Sequence, residues 1–170
     1  MSCLEEENIS RKEEKMNLKV FKIRKNAKLP TRAYQTDAGM DLYYCPNGAR
    51  AKALEEEGLV IGARESVLVP TGIKVNVPYG FMLEVKNKSG IAFKKQLLVG
   101  ACVIDPGYTG EVYVNLHNIG LKTQYLKSGD KIAQAVLIPV IHCGIEEVSE
   151  QKFNTNTERG AGGFGSTGNK

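Results

Sequence analysis

The chain has no run of about 18 apolar residues, so nothing in it is expected to cross a bilayer as a helix. Cysteine is sparse: Cys3, Cys45, Cys102 and Cys143 lie far apart, and no two form a CxxC pair. The two histidines, His117 and His142, do not stand at metal-ligand spacing from them. A structural zinc site and a disulfide framework are therefore not expected, and a reducing compartment suits the chain. Dense Lys/Arg clusters are also missing, and the net charge is only +4. That argues against a grip on duplex nucleic acid while leaving single anionic ligands open. The N-terminus is charged (Glu5, Glu6, Glu7, then Arg11 to Lys15) where a signal peptide would be apolar. Residues 1–16 are expected to be a solvated, disordered extension. No internal repeat occurs, and only Ala49 to Gly58 reads clearly as helix, with good helix formers and a closing glycine.

What the chain does have is short alternating runs. From Asn17, Leu18, Val20, Phe21 and Ile23 alternate among Lys and Arg, the pattern of a half-buried strand. Similar runs follow at 40–44, 66–69, 73–77, 81–86, 96–104, 112–118 and 131–141. Turn signals separate them, among them Pro46-Asn47-Gly48, Pro70-Thr71-Gly72, Pro78-Tyr79-Gly80 and Pro106-Gly107. This punctuation predicts an all-β domain over 17–148, a barrel or sandwich. One further helical turn fits Ile91 to Gln96. The apolar pattern stops after Val148, so residues 149–170 are expected to form a flexible, glycine-rich arm.

Several polar segments do not belong to a core. The tail Arg159 to Lys170 combines glycines with Arg159, Phe164, Gly165, Ser166 and Thr167. Glycine lets main-chain N–H groups approach a phosphate, arginine offers a fork for its oxygens, and phenylalanine offers a stacking face. Read alone, the same tail fits an ordinary frayed terminus better than a site. Lys88-Ser89-Gly90 follows a strand and opens a possible helical turn, which suits either a phosphate cradle or a plain cap. Asp41 sits in the apolar run Gly39 to Tyr43 and needs a cationic partner. Asp105 ends the strand-like Val103-Ile104, and the Pro106-Gly107 turn sets the direction of its carboxylate. Tyr108 follows three positions on. Gln134 closes Gly129-Asp130-Lys131-Ile132-Ala133-Gln134, a turn and a cation leading into a strand.

Taken in order, DAGMDL, KSGIA, CVIDPGYTGEV, GDKIAQ and RGAGGFGSTG resemble the five motifs of the trimeric dUTP pyrophosphatases (dUTPases), of the dUTPase and dCTP deaminase superfamily. The resemblance runs from about residue 18 to residue 168. It implies a jelly-roll-like distorted β-barrel and a homotrimer with active sites at subunit contacts, each closed by a C-terminal arm. It implies Mg-dependent hydrolysis of dUTP to dUMP and pyrophosphate, which keeps uracil out of DNA and supplies dUMP for dTTP synthesis. By position, Asp105 matches the general base that activates water for in-line attack on the α-phosphorus, and Asp41 a supporting acid. Tyr108 matches the ring that packs on deoxyribose. The hairpin from Gly100 to Val112, with Val103, Ile104 and Glu111, matches the segment that reads uracil through its main chain. Lys88, Ser89, Gly90 and Gln134 fall at phosphate contacts. Phe164 and Gly165 fall beside the base, and Arg159, Ser166 and Thr167 at the γ-phosphate. Mg²⁺ would be bound through triphosphate and water, with no dedicated protein ligands. The implied partners are dUTP and copies of the chain, without nucleic acid or membrane. The implied location is cytoplasmic, or nuclear or in host cytoplasm for a viral chain.

Three departures stand out. Lys88 and Lys131 occupy places where the family usually has arginine, so the forked donor is lost while the charge stays. Cys102 stands where many members have glycine, and Pro46 to Gly62 is longer than the usual loop. Two rival readings are a dCTP deaminase, alone or bifunctional, and a nucleotide-sensing binding protein. The deaminase glutamate would fall at Asn115, and an amide cannot serve as the base for water attack on cytosine.

Overall fold

A computed structural model describes residues 16–48, 51–153, 157–158 and 160–162. Over these the regular structure is mostly strand, joined by loops, and the fold is all-β and jelly-roll-like. The strands are β1 (Lys19–Lys22), β2 (Met40–Tyr43), β3 (Leu59–Ile61), β4 (Ser66–Pro70), β5 (Ile73–Asn76), β6 (Phe81–Lys86), β7 (Leu97–Val99), β8 (Val103–Ile104), β9 (Tyr113–Asn118), β10 (Gln124–Leu126) and β11 (Lys131–Pro139). Two short helices interrupt them, α1 (Ala51–Glu57) and α2 (Ser89–Lys95). The sequence predicts one helix with a possible further turn; that turn is a second helix in its own right. No helix among the described residues is long and apolar enough to cross a membrane.

Four antiparallel sheets share one core. Their orders are β2-β11-β6-β8, β4-β9-β7, β1-β5 and β10-β3. Alternation does the packing: on β9, Val114, Leu116 and Asn118 point inward while Tyr113 and His117 face out. Leu42, Ile61, Ile73, Leu83, Leu97, Leu116 and Leu126 draw all four sheets into a single apolar cluster. Asn118 is one of three buried polar residues, beside Asp41 and Thr71, and its side chain is held by main-chain groups. Its amide donates to the carbonyls of Ile61, Gly62 and Lys122 and accepts from Gly120 N–H, which closes the loop between β9 and β10.

Two details differ from the expected strands. The run 96–104 is not one strand but two, β7 and β8, lying in different sheets. The break falls at Gly100, where an added Cβ would strike the side chains of Asn115 and His117. The strands β3 and β10 are each three residues long, too short to show a period. Contacts divide the chain into two units, 1–140 and 141–170. In the second, the described residues form turns and no helix or strand.

Candidate active site

The first group of candidate residues is built on β8 and the loop behind it. Because strand side chains alternate, burying Ile104 turns Val103 and Asp105 outward, and both are exposed. Tyr108 N–H donates to the Asp105 carbonyl at 3.3 Å, and Gly107 takes φ 85°. Proline then glycine at the two central positions is the chemistry of a type II turn. The Tyr108 hydroxyl reaches on to the Glu111 carbonyl at 2.9 Å. Gly110 makes this possible, since a Cβ there would collide with the tyrosine hydroxyl. Below, β8 pairs with β6 (Leu83 with Ile104, Glu84 with Val103), and Val85 N–H donates to the Cys102 carbonyl at 2.7 Å. Together these elements line a cleft of about 280 Å³, bounded by Val103, Ile104, Asp105, Tyr108, Glu111 and Val112, with Cys102 also on its wall.

Glu111 contributes backbone to that cleft, but its carboxylate is engaged elsewhere. It forms a two-pronged pair with Arg24 and also accepts from Gly72 N–H at 2.8 Å. Burial pushes its pKa up, but the Arg24 bonds and the Gly72 N–H outweigh that and hold it below the usual carboxylate range. Arg24 carries none of the recognisable motifs, so the sequence reading missed it. Its only signal is a cation beside an otherwise alternating strand.

The second group lies around Asp41. All of β2 is buried, and Asp41 is 4% exposed. The required cations are present: Lys88 at 2.7 Å from one carboxylate oxygen and Lys131 at 2.6 Å from the other. Burial again works to raise the Asp41 pKa, and hydrogen bonds from Lys131 and then Lys88 overcome it, so the group stays ionised. Lys131 is raised in return by its bond to Asp41. Gln134, opposite Asp41 in the β2–β11 register, donates to the Asn87 carbonyl at 3.0 Å and lies so close over Gly39 that no Cβ fits there. Asn87 in turn accepts from Val99 N–H at 2.7 Å, tying the end of β6 to β7. Asp41, Lys88 and Gln134 line a second cleft of about 370 Å³ with Asp37 and Gly39.

Lys88 is the N-cap of α2, and its side chain goes to Asp41 rather than to the helix end. Ser89 and Gly90 form the exposed first turn and line neither cleft. Gly90 has an ordinary φ and open space around it, so neither backbone nor packing within this chain calls for a glycine there. Gly100 also lines neither cleft. Asn115, the place of the deaminase glutamate, donates to Ser66 Oγ at 3.0 Å and pairs with His117 at 2.8 Å on the face of β9. It is outside the Asp105 cleft. Arg159, Phe164, Gly165, Ser166 and Thr167 lie outside the described residues.

The sequence matches the dUTPase family over residues 25–168. It is 40% identical to the deoxyuridine 5'-triphosphate nucleotidohydrolase of Candida albicans over 156 residues, 92% of this chain and 91% of that protein. With the enzyme of the same name from Gloeothece citriformis it shares 41% over 155 residues, 90% of this chain and 97% of the other. The fold is similar to that of the Staphylococcus bacteriophage 80alpha dUTPase with dUpNHpp. The TM-score is 0.75 at 27% identity, covering 89% of this chain and 98% of that one. The chain belongs to the dUTPase family.

Proposed function

We propose that this protein hydrolyses dUTP to dUMP and pyrophosphate. The observation that carries the reading is the exposed Asp105 carboxylate set beside the tethered Tyr108 ring on one cleft, in a chain of this family. Asp105 accepts a proton from a water, and the water oxygen attacks the α-phosphorus in line as pyrophosphate leaves. Positioned base help of this kind contributes about 10²–10⁴-fold. The main chain from Gly100 to Val112 reads uracil, and the Tyr108 ring packs on deoxyribose where a 2′-hydroxyl has no room.

The phosphates belong to Lys88, Ser89, Gly90 and Gln134, with Arg159, Ser166 and Thr167 from the tail and Phe164 over the base. Phosphoryl transfer asks mainly for positioning and charge stabilisation, which suits cations and main-chain donors. Because Asp105 and Lys88 line different clefts of one chain, a homotrimer that joins unlike halves of neighbouring copies fits this assignment. The unexplained Gly90 suits a place approached by another molecule. Bound Mg²⁺ would supply charge neutralisation on the triphosphate. Asp41 is committed to two lysines, so the triphosphate and water would hold the ion.

The test is pyrophosphate release from dUTP, dTTP, dCTP and UTP with Mg²⁺ present. The reading expects strong preference for dUTP. Comparable rates on all four would defeat the specificity assigned to the hairpin and Tyr108, and ammonia from dCTP would favour a deaminase.

A further inference from the structure

Arg24 lies just beyond β1 and touches neither cleft, yet it makes more polar contacts than any ordinary surface arginine needs. Its guanidinium holds both oxygens of Glu111, donates to the Cys45 carbonyl at 3.1 Å and approaches Cys45 Sγ at 3.4 Å. The pair is largely removed from solvent, with side chains 21% and 9% exposed. Glu111 also accepts from Gly72 N–H, at a position that only glycine fits. Its φ is 73°, and a Cβ there would meet Ala27 at 2.6 Å and Cys45 Sγ at 2.9 Å. The neighbouring Val112 carbonyl is gripped by the Thr71 hydroxyl at 2.6 Å, and Val112 N–H donates to the Ile73 carbonyl at 2.9 Å. Residues 111 and 112 are thus pinned to the barrel from three directions.

The loop between Asp105 and Glu111 has less support. Among the hydrogen bonds described, it closes on itself twice, through Tyr108 N–H to the Asp105 carbonyl and through the Tyr108 hydroxyl to the Glu111 carbonyl. The ring that faces the cleft is therefore tied at its far end to the residue Arg24 holds. We infer that Arg24 is a positioning residue, acting through Glu111 to hold the Tyr108 ring where it discriminates deoxyribose from ribose. The inference rests on the sugar-facing role proposed for Tyr108. Forked geometry matters here, because a lysine point charge cannot hold both Glu111 oxygens and the Cys45 carbonyl in one plane.

The test uses the full-length protein and the variants R24K, R24Q, Y108F and R24Q/Y108F. Tyrosines labelled with ¹³C at Cζ report the ring directly, with the Tyr108 resonance assigned by its loss in Y108F. R24K is expected to move or broaden that resonance while the protein stays folded, and R24Q to do so more. Ratios of kcat/KM for dUTP over UTP should fall by about tenfold in R24Q, a loss typical of one misplaced contact. R24Q/Y108F should lose little beyond Y108F alone, since both changes cut the same tether. An unmoved Tyr108 resonance in both Arg24 variants overturns the inference whatever the protein catalyses. So does a moved resonance with undiminished discrimination, or a fully additive double variant. If the unaltered protein hydrolyses neither nucleotide, the dUTP reading fails, and the resonance alone decides whether Arg24 positions the ring. Should R24Q fail to fold, R24K carries the same measurements.

Discussion

The two clefts of this chain solve the problem of holding polar groups in opposite ways. Around Asp105 and Tyr108 the surface is main chain, one aromatic ring and one exposed carboxylate, braced from behind by the Arg24–Glu111 pair. Around Asp41 the structure is inverted: a buried carboxylate stands at the centre, and flexible lysines reach in from α2 and β11. In the first the anchor is a rigid fork and the carboxylate on the cleft is exposed. In the second the anchor is the acid, and its partners are long side chains that keep much of their exposure. The first arrangement suits recognition of shape, where small displacements matter. The second suits charge, which tolerates displacement better.

The sharpest way to separate them is to remove charge from each. Asp105→Asn should cost about 10²–10⁴ in kcat while leaving nucleotide binding close to unchanged, read by pyrophosphate release and calorimetry with a non-hydrolysable analogue. A variant with near-normal kcat would remove Asp105 from the role of base. Deleting residues 159–170 should come next, lowering hydrolysis by about 10²-fold, comparable to one lost set of transition-state donors. Circular dichroism and sedimentation should show the β domain and its assembly intact. Full activity after that deletion would end the idea of a closing arm.

Asp41→Asn is expected to act on stability first. It leaves two lysines without their acid, but both keep substantial exposure (31% and 44% of the side chain), so water offsets part of the loss. About 1–3 kcal/mol is expected from urea unfolding, below the cost of breaking a fully buried pair. The pH dependence has a definite sign. Asp41 and Glu111 both have folded pKa values below the unfolded ones, so their stabilisation is complete above about pH 5. It is lost as pH falls through the folded values. Asp41→Asn should flatten the acid limb of the stability curve, and an unchanged limb would contradict the assigned ionisation. The smallest effect belongs to Lys88→Arg, which puts a forked donor on the charge-based cleft. A few-fold lower KM for dUTP is expected, worth about 0.5–1 kcal/mol, with little change in kcat.

Much of this was legible beforehand, for reasons that differ by element. The strands at 66–70, 73–76, 81–86 and 113–118 announce themselves because half-buried strands alternate and their turns carry glycine or proline. Strands β3 and β10 do not, since three residues hold no period and their pairing is remote in sequence. The split of 96–104 was hidden because its two halves pair with different strands, β7 with β9 and β8 with β6, and local spacing does not encode that choice. Asp41 could be known to need cations from its apolar neighbours alone. Which cations answered, and that Lys131 would share it with Lys88, could not.

By itself the amino-acid sequence determined the all-β class, the positions of most strands and the five ordered motifs that mark the family. Those follow from local rules: side-chain period, turn chemistry and residue type at set spacing. Only the tertiary structure decided that Glu111 would face Arg24, that Tyr108 would be tethered to the same residue, and that Asp105 and Lys88 would line different clefts. Each of these depends on which distant segments meet, and no spacing along the chain encodes a meeting between residues 24 and 111.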